Sequence, residues 1–200
     1  MRMVPNYIAG IGGSAGGLIA YKELLDCLPS NTGMAFVIAT HMLPDATSHL
    51  AEILSRHTKM PVMMASAEMT IRANHLYVSL PNTDVLIENY TFKVISPRTK
   101  RNAVVDYLLT SLAEAMGARA IGIVLSGYDG DGTEGCKQIK AKGGITFAQD
   151  ASAEVGNMPL SAQAAGCIDF VLPPSKIAEA LARIARASPV KATSERRRPK

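Results

Sequence analysis

Short apolar runs alternate with amphipathic stretches along most of the chain. Tyr7–Gly12 and Met34–Thr40 are too short for helices and are bounded by turn residues, so they predict buried parallel strands. Leu18–Leu28, closed by Pro29, has helical spacing. So does Thr47–Thr58, where Leu50, Ile53 and Leu54 share a face. Val62–Ala65 and His75–Ser79 each predict a short strand. Asp84–Ile87 and Thr91–Ile95 flank Glu88, Asn89 and Tyr90 and predict an antiparallel hairpin, the one break in the rhythm. Alternation resumes with helix Ala103–Met116, strand Ala120–Ser126, helix Thr133–Ala141 and strand Ile145–Ala148. A short helix at Leu160–Ala165, a strand at Ile168–Leu172 and helix Ser175–Ala187 complete the pattern. The fold class this predicts is α/β: a doubly wound, mostly parallel sheet flanked by helices, with one antiparallel hairpin. One domain is expected over residues 4–187, followed by a basic, disordered tail at 188–200.

Composition narrows the picture in one respect. The 200 residues carry a formal charge of +4, which invites a nucleic-acid reading. Five of the 21 basic residues and one of the 17 acidic ones lie in residues 188–200, so the body holds sixteen of each and is neutral. The tail has no aromatic side chain. A solvated end fits it better than a nucleic-acid site, and no nucleic-acid partner is expected. No apolar run approaches the roughly 20 residues that cross a bilayer, and the first residues lack the order of a signal peptide. Cys27, Cys136 and Cys167 form no C-x-x-C pair and sit among apolar or small neighbours. They are expected to be buried free thiols in a reducing cytoplasm, with no metal role.

The richest local signal is Gly10-Ile-Gly-Gly-Ser-Ala-Gly-Gly17, between the first strand and the first helix. Gly10, Gly12 and Ala15 satisfy a relaxed dinucleotide fingerprint, which also wants an acidic residue at the end of the second strand. That strand ends Ala39-Thr40-His41, with no acid. Gly12-Gly-Ser-Ala-Gly16 also reads as G-x-S-x-G, a sharp turn that presents Ser14 Oγ beside a helix N-terminus, where an oxyanion is stabilised. The plain alternative is that Ser14 caps the helix.

A nucleophilic serine needs a base and an orienting carboxylate. His49 and His57 fall within the predicted second helix and His75 starts a strand, so surface or structural roles suit them. His41 directly follows the second parallel strand, and in a doubly wound sheet such strand ends converge on one crevice with Ser14. The strand Ala120–Ser126 runs into Gly127-Tyr-Asp-Gly-Asp-Gly132, where Asp129 and Asp131 are both candidates for the carboxylate; turn-forming or helix-capping roles compete for each. The order Ser, His, Asp differs from the Ser, Asp, His order of α/β-hydrolases.

Several landmarks, taken in order, resemble one family. They are Gly12-Gly-Ser-Ala-Gly-Gly17, Thr40-His-Met-Leu-Pro44, His75-Leu-Tyr-Val-Ser-Leu-Pro81, Leu125-Ser-Gly-Tyr-Asp-Gly-Asp-Gly132, and Ala148-Gln-Asp-Ala followed by Asn157-Met-Pro159. Together they make residues Tyr7 to Ala187 similar to the catalytic domain of chemotaxis protein-glutamate methylesterases of the CheB type. The resemblance implies hydrolysis of glutamate γ-methyl esters on the cytoplasmic helices of methyl-accepting chemoreceptors, with deamidation of selected glutamines as a related activity. It implies Ser14 as nucleophile, His41 as base and Asp131, not Asp129, as the acid. The backbone amides near Ala15 and Tyr128 are expected to bind the oxyanion. No cofactor is implied, and a soluble cytoplasmic enzyme is expected. Family members usually carry Met at the position of Tyr128 and Gly at that of Asp129. The usual Arg-Pro before the Val-Asp of the long helix is matched here by Asn102-Ala103, before Val105-Asp106. Typical members also carry an N-terminal receiver domain. Only six residues precede Tyr7, so a catalytic domain without a receiver is expected. Two other classes remain in view: a non-catalytic interaction module on the same fold, and a dinucleotide-binding oxidoreductase.

Overall fold

The computed structural model describes residues 4–41 and 49–187. The expected tail at 188–200, and Met42 to Pro44 of the second landmark, lie outside the described residues. Nine strands and six α-helices are formed among those described, alternating except where four strands follow one another between the second and third helices. β1 (Ile8–Gly13), β2 (Ala35–Thr40), β3 (Val62–Met64), β4 (His75–Val78), β7 (Ala120–Val124), β8 (Ile145–Gln149) and β9 (Phe170–Leu172) form one parallel sheet. Its order is β3-β4-β2-β1-β7-β8-β9. β5 (Asp84–Glu88) and β6 (Thr91–Ile95) form a separate antiparallel hairpin. Asn89 and Tyr90 turn that hairpin at positive φ, 49° and 61°, the backbone twist that a two-residue connection between strands requires.

The expected fold class is the one observed. Strands β1, β2 and β7 are buried on both faces, which is why their sequences read as continuous apolar runs and not as alternating patterns. One face carries α3 (Val104–Met116), α4 (Thr133–Ala141), α5 (Asn157–Ala164) and the hairpin. Val105, Leu108, Leu109 and Leu112 from α3 dominate that layer. The other face carries α1 (Gly17–Cys27), α2 (Leu50–Ser55) and α6 (Pro174–Ala187), which bury Tyr21, Leu24, Leu54, Ile177 and Leu181 against the sheet.

Boundaries moved where local chemistry outweighs periodicity. α2 stops at Ser55, so His49 precedes it and His57 follows it. The Thr58 hydroxyl accepts the Met60 amide just before Pro61, which diverts the backbone from the helix. α5 begins at Asn157 and takes Pro159 into its first turn, where a missing N–H costs nothing. Cys136 and Cys167 are buried, but Cys27 is exposed. As the last residue of α1 it faces outward, while Leu24, Leu25 and Leu28 make the inward stripe.

Candidate active site

β1 sits between β2 and β7, and the strand order reverses there. Ligand crevices in open α/β sheets form at such a switch point, outside the carboxyl ends of the strands. Gly13 pairs in register with Thr40, so Ser14 and His41 each stand one residue beyond that pair. On the other side Gly12 pairs with Val124, the Leu125 amide donates to Gly12 O at 2.8 Å, and the Ser14 amide donates to Ser126 O at 2.8 Å. The loop after β7 is thereby tied to the serine turn.

The glycines in this turn have separate duties. An added Cβ at Gly10 would lie 2.5 Å from Leu109 and one at Gly12 would lie 2.2 Å from Val105, so both allow α3 to pack directly on β1. At Gly13 it would meet the Tyr21 hydroxyl at 2.7 Å. Burial pushes that phenol well above its ordinary titration range, with the neighbouring Thr40 side chain opposing the rise. Gly16 has φ of 74°, and a Cβ there would lie 2.5 Å from Ser126 Oγ. The turn is therefore glycine-rich because of α3, Tyr21 and Ser126. A pyrophosphate is not needed to account for it.

His41 is 13% exposed at its side chain, and its Nε2 lies 2.7 Å from Asp131 Oδ2. Asp131 is buried. Its Oδ2 also accepts the Val105 amide at 3.0 Å, while Oδ1 accepts the Asp106 and Gly132 amides at 2.8 and 2.9 Å. Val105 and Asp106 are in the first turn of α3, a helix with no side-chain cap of its own. Asp131 thus supplies from another loop the acceptor that the helix start lacks, and the helix dipole favours its negative charge. The same carboxylate caps a helix and holds an imidazole.

Asp129 occupies the other side of the ring, with Oδ2 3.4 Å from His41 Nδ1. Its Oδ1 accepts the Asp131 amide at 3.1 Å, closing a turn. Both aspartates considered from sequence therefore reach His41, Asp131 more closely. Asp106, behind Asp131, is shifted upward: burial raises it, the Gly135 amide opposes that, and the Asp131 charge adds to the rise.

Ser14 is partly buried, and Gly127 is close enough that an added Cβ there would lie 3.2 Å from Ser14 Cβ. Among the described residues no hydrogen bond joins Ser14 Oγ to His41. Among the described residues the amides of Ala15 and Tyr128 donate no backbone hydrogen bond. The other histidines are engaged elsewhere. His49 faces Glu52 at 3.5 Å, His57 faces Asp26 at 2.9 Å, and His75 Nδ1 lies 2.9 Å from Ala73 O. Among the described residues no group of three or more His, Cys, Asp or Glu side chains is placed to hold a metal ion.

Two supports of the site were not singled out from sequence. Ser126 is fully buried; its hydroxyl donates to Ala15 O at 2.7 Å and accepts the Val155 amide at 2.9 Å. Gln149 Oε1 accepts the Ser126 amide at 3.0 Å. Both lie inside matched landmarks, yet a serine ending a strand carries no local mark of bridging two loops.

The model of the CheB methylesterase family matches residues 9–181. The chain is 33% identical over 178 residues to a Leptospira interrogans protein provisionally named a protein-glutamate methylesterase/protein-glutamine glutaminase, covering 87% of this chain and 92% of that one. It is 30% identical over 188 residues to a Geobacter sulfurreducens protein-glutamate methylesterase/protein-glutamine glutaminase, covering 89% of this chain and 52% of that protein. The chain thus spans about half the length of the Geobacter relative. The crystal structure of the Thermotoga maritima CheB methylesterase catalytic domain superimposes with a TM-score of 0.82 at 28% identity, covering 90% of this chain and all of that one.

Proposed function

The chain belongs to the CheB methylesterase family and is a hydrolase, and from that membership we propose that it removes γ-methyl groups from glutamate side chains on chemoreceptor helices, with Ser14 as nucleophile. His41 is the general base and Asp131 the acid that orients it. The observation that carries the reading is the 2.7 Å contact between His41 and a buried Asp131 at the switch point that also holds Ser14.

Asp131 accepts from Nε2–H, so the neutral ring keeps its lone pair on Nδ1. Nδ1 removes the Ser14 proton as Oγ attacks the ester carbonyl. The amides of Ala15 and Tyr128 receive the developing oxyanion in a site prepared before reaction. Collapse expels methoxide, which takes the proton from Nδ1 and leaves as methanol. Water, deprotonated by the same nitrogen, then attacks the acyl-enzyme and frees the glutamate carboxylate. A glutamine amide follows the same course with ammonia leaving, in keeping with the second activity in the relatives' names. A chemoreceptor substrate implies work in the cytoplasm. No helix among the described residues is long and apolar enough to cross a membrane.

Methanol release from methylated receptor fragments tests the assignment. Ser14→Ala is expected to lose on the order of 10⁴-fold in rate. Near wild-type release from Ser14→Ala overturns the mechanism, and folded wild-type protein that releases none favours an interaction module.

A further inference from the structure

We propose that Asp129 is a positioning residue that restrains the base, its carboxylate occupying the side of His41 that must face Ser14 in the reaction. The inference rests on the roles given above to Ser14, His41 and Asp131. Asp131 takes Nε2 at 2.7 Å, which leaves only Nδ1 to receive the serine proton. Asp129 Oδ2 lies 3.4 Å from that Nδ1, while no hydrogen bond among the described residues joins Ser14 Oγ to the ring.

The chemistry of the ring sets the sign of the effect. A neutral imidazole protonated on Nε2 has its lone pair on Nδ1, 3.4 Å from the Asp129 carboxylate, which repels it. A ring protonated on both nitrogens is attracted to the Asp129 carboxylate across that 3.4 Å. Asp129 therefore sets its charge against the lone pair that must take the serine proton. After proton transfer it also competes with the departing alkoxide for the proton on Nδ1. Orientation of the ring does not need it, because Asp131 already supplies a fixed partner.

The pairing is built to be broken. The Asp129 side chain is 26% exposed, against 0% for Asp131, so it can rotate into solvent while Asp131 stays. One Asp129 oxygen shapes the loop by accepting the Asp131 amide, and the other faces the base. An incoming substrate that displaces the second oxygen admits Ser14 to Nδ1 without unmaking the loop.

Asp129→Asn separates the two duties, since an amide oxygen still accepts the Asp131 amide while the charge is gone. Asp129→Gly removes both. Hydrolysis of p-nitrophenyl acetate and phosphonylation of Ser14 by an alkyl fluorophosphonate, read by mass spectrometry, are measured on the full chain at low and high salt. Asp129→Asn is expected to raise kcat and the labelling rate about two- to fivefold, as suits a partly exposed charge pair, with KM little changed. The wild-type rate should climb toward that of the variant as salt screens the carboxylate, while the variant stays flat. An Asp129→Asn variant that matches wild type, with damage only in Asp129→Gly, reduces Asp129 to a turn former and overturns the proposal. A fall in kcat for Asp129→Asn overturns it as well, by making the carboxylate an aid to the protonated ring. Ser14→Ala in the same assays tests the premise separately: retained hydrolysis there removes the nucleophile, whatever Asp129 does.

Discussion

The loop after β7 has two halves with opposite characters. Its outer half, Tyr128 and Asp129, faces solvent, with Tyr128 70% exposed and Asp129 closed on a single local turn. Its inner half, Asp131 and Gly132, is buried, and the Asp131 carboxylate accepts three backbone amides as well as His41. Only two positions separate the aspartates, and both reach the same imidazole. The difference lies in what else holds each one. A carboxylate tied to a helix start cannot leave the ring, whereas one tied to a single amide can. Fixed and displaceable contacts to one imidazole can therefore come from one short loop.

Breaking the inner half should have the largest consequence. In Asp131→Asn the new NH₂ group must face either the Val105 amide and His41 together, the two donors now on Oδ2, or the Asp106 and Gly132 amides, the two now on Oδ1. Facing His41, it calls for a ring that accepts at Nε2 and so carries its proton on Nδ1, the nitrogen meant to act as base. Esterase activity is expected to fall on the order of 10⁴-fold, with circular dichroism unchanged. A loss below tenfold would show that Asp131 serves α3 more than it serves His41.

The braces behind the loop come next. Ser126→Ala leaves the partly buried Val155 amide and Ala15 carbonyl short of a partner, at a cost of about 1 kcal/mol. A denaturant titration should show that loss, and kcat should fall with it, because Ala15 is part of the serine turn. Wild-type kcat in a destabilised Ser126→Ala would uncouple the brace from catalysis.

The smallest effect is expected at Asp106, on the far side of Asp131. Its carboxyl is raised from the ordinary value of 3.8, first by burial and also by the Asp131 charge. A carboxyl whose folded value lies above its unfolded one weakens the fold as pH rises through that interval. Asp106→Asn keeps an oxygen for the Gly135 amide and removes this slope. Below pH 3.8 the two proteins should unfold alike, and near neutrality the variant should melt about 1–3 °C higher. Thermal scans at pH 3.5 and pH 7 check this; a variant less stable than wild type at pH 7 would mean that the charge itself supports α4.

Much of this architecture was legible along the chain. Buried parallel strands announce themselves as short apolar runs, and α3 and α6 as longer amphipathic ones, because burial on two faces or on one stripe is a local demand on residue type. Ser14 and His41 were readable for the same reason, each standing immediately after such a run. The loop holding Asp131 was readable too, but Asp129 and Asp131 look alike there: both are aspartates between glycines. The choice of Asp131 came from resemblance to a family, and the contacts that separate the two come from residues 25 or more positions away.

By itself, then, the sequence determined the alternation of strands and helices, the glycine turn that carries Ser14, and the set of polar residues at strand ends. Tertiary structure alone decided that β1 lies between β2 and β7, that Asp131 caps α3 while gripping Nε2, and that Asp129 stands at Nδ1. Periodicity and turn chemistry act over a few residues and so leave their mark in the chain. Strand order and the pairing of a carboxylate with a distant helix start are settled only when separate layers pack, and no short stretch of sequence records that.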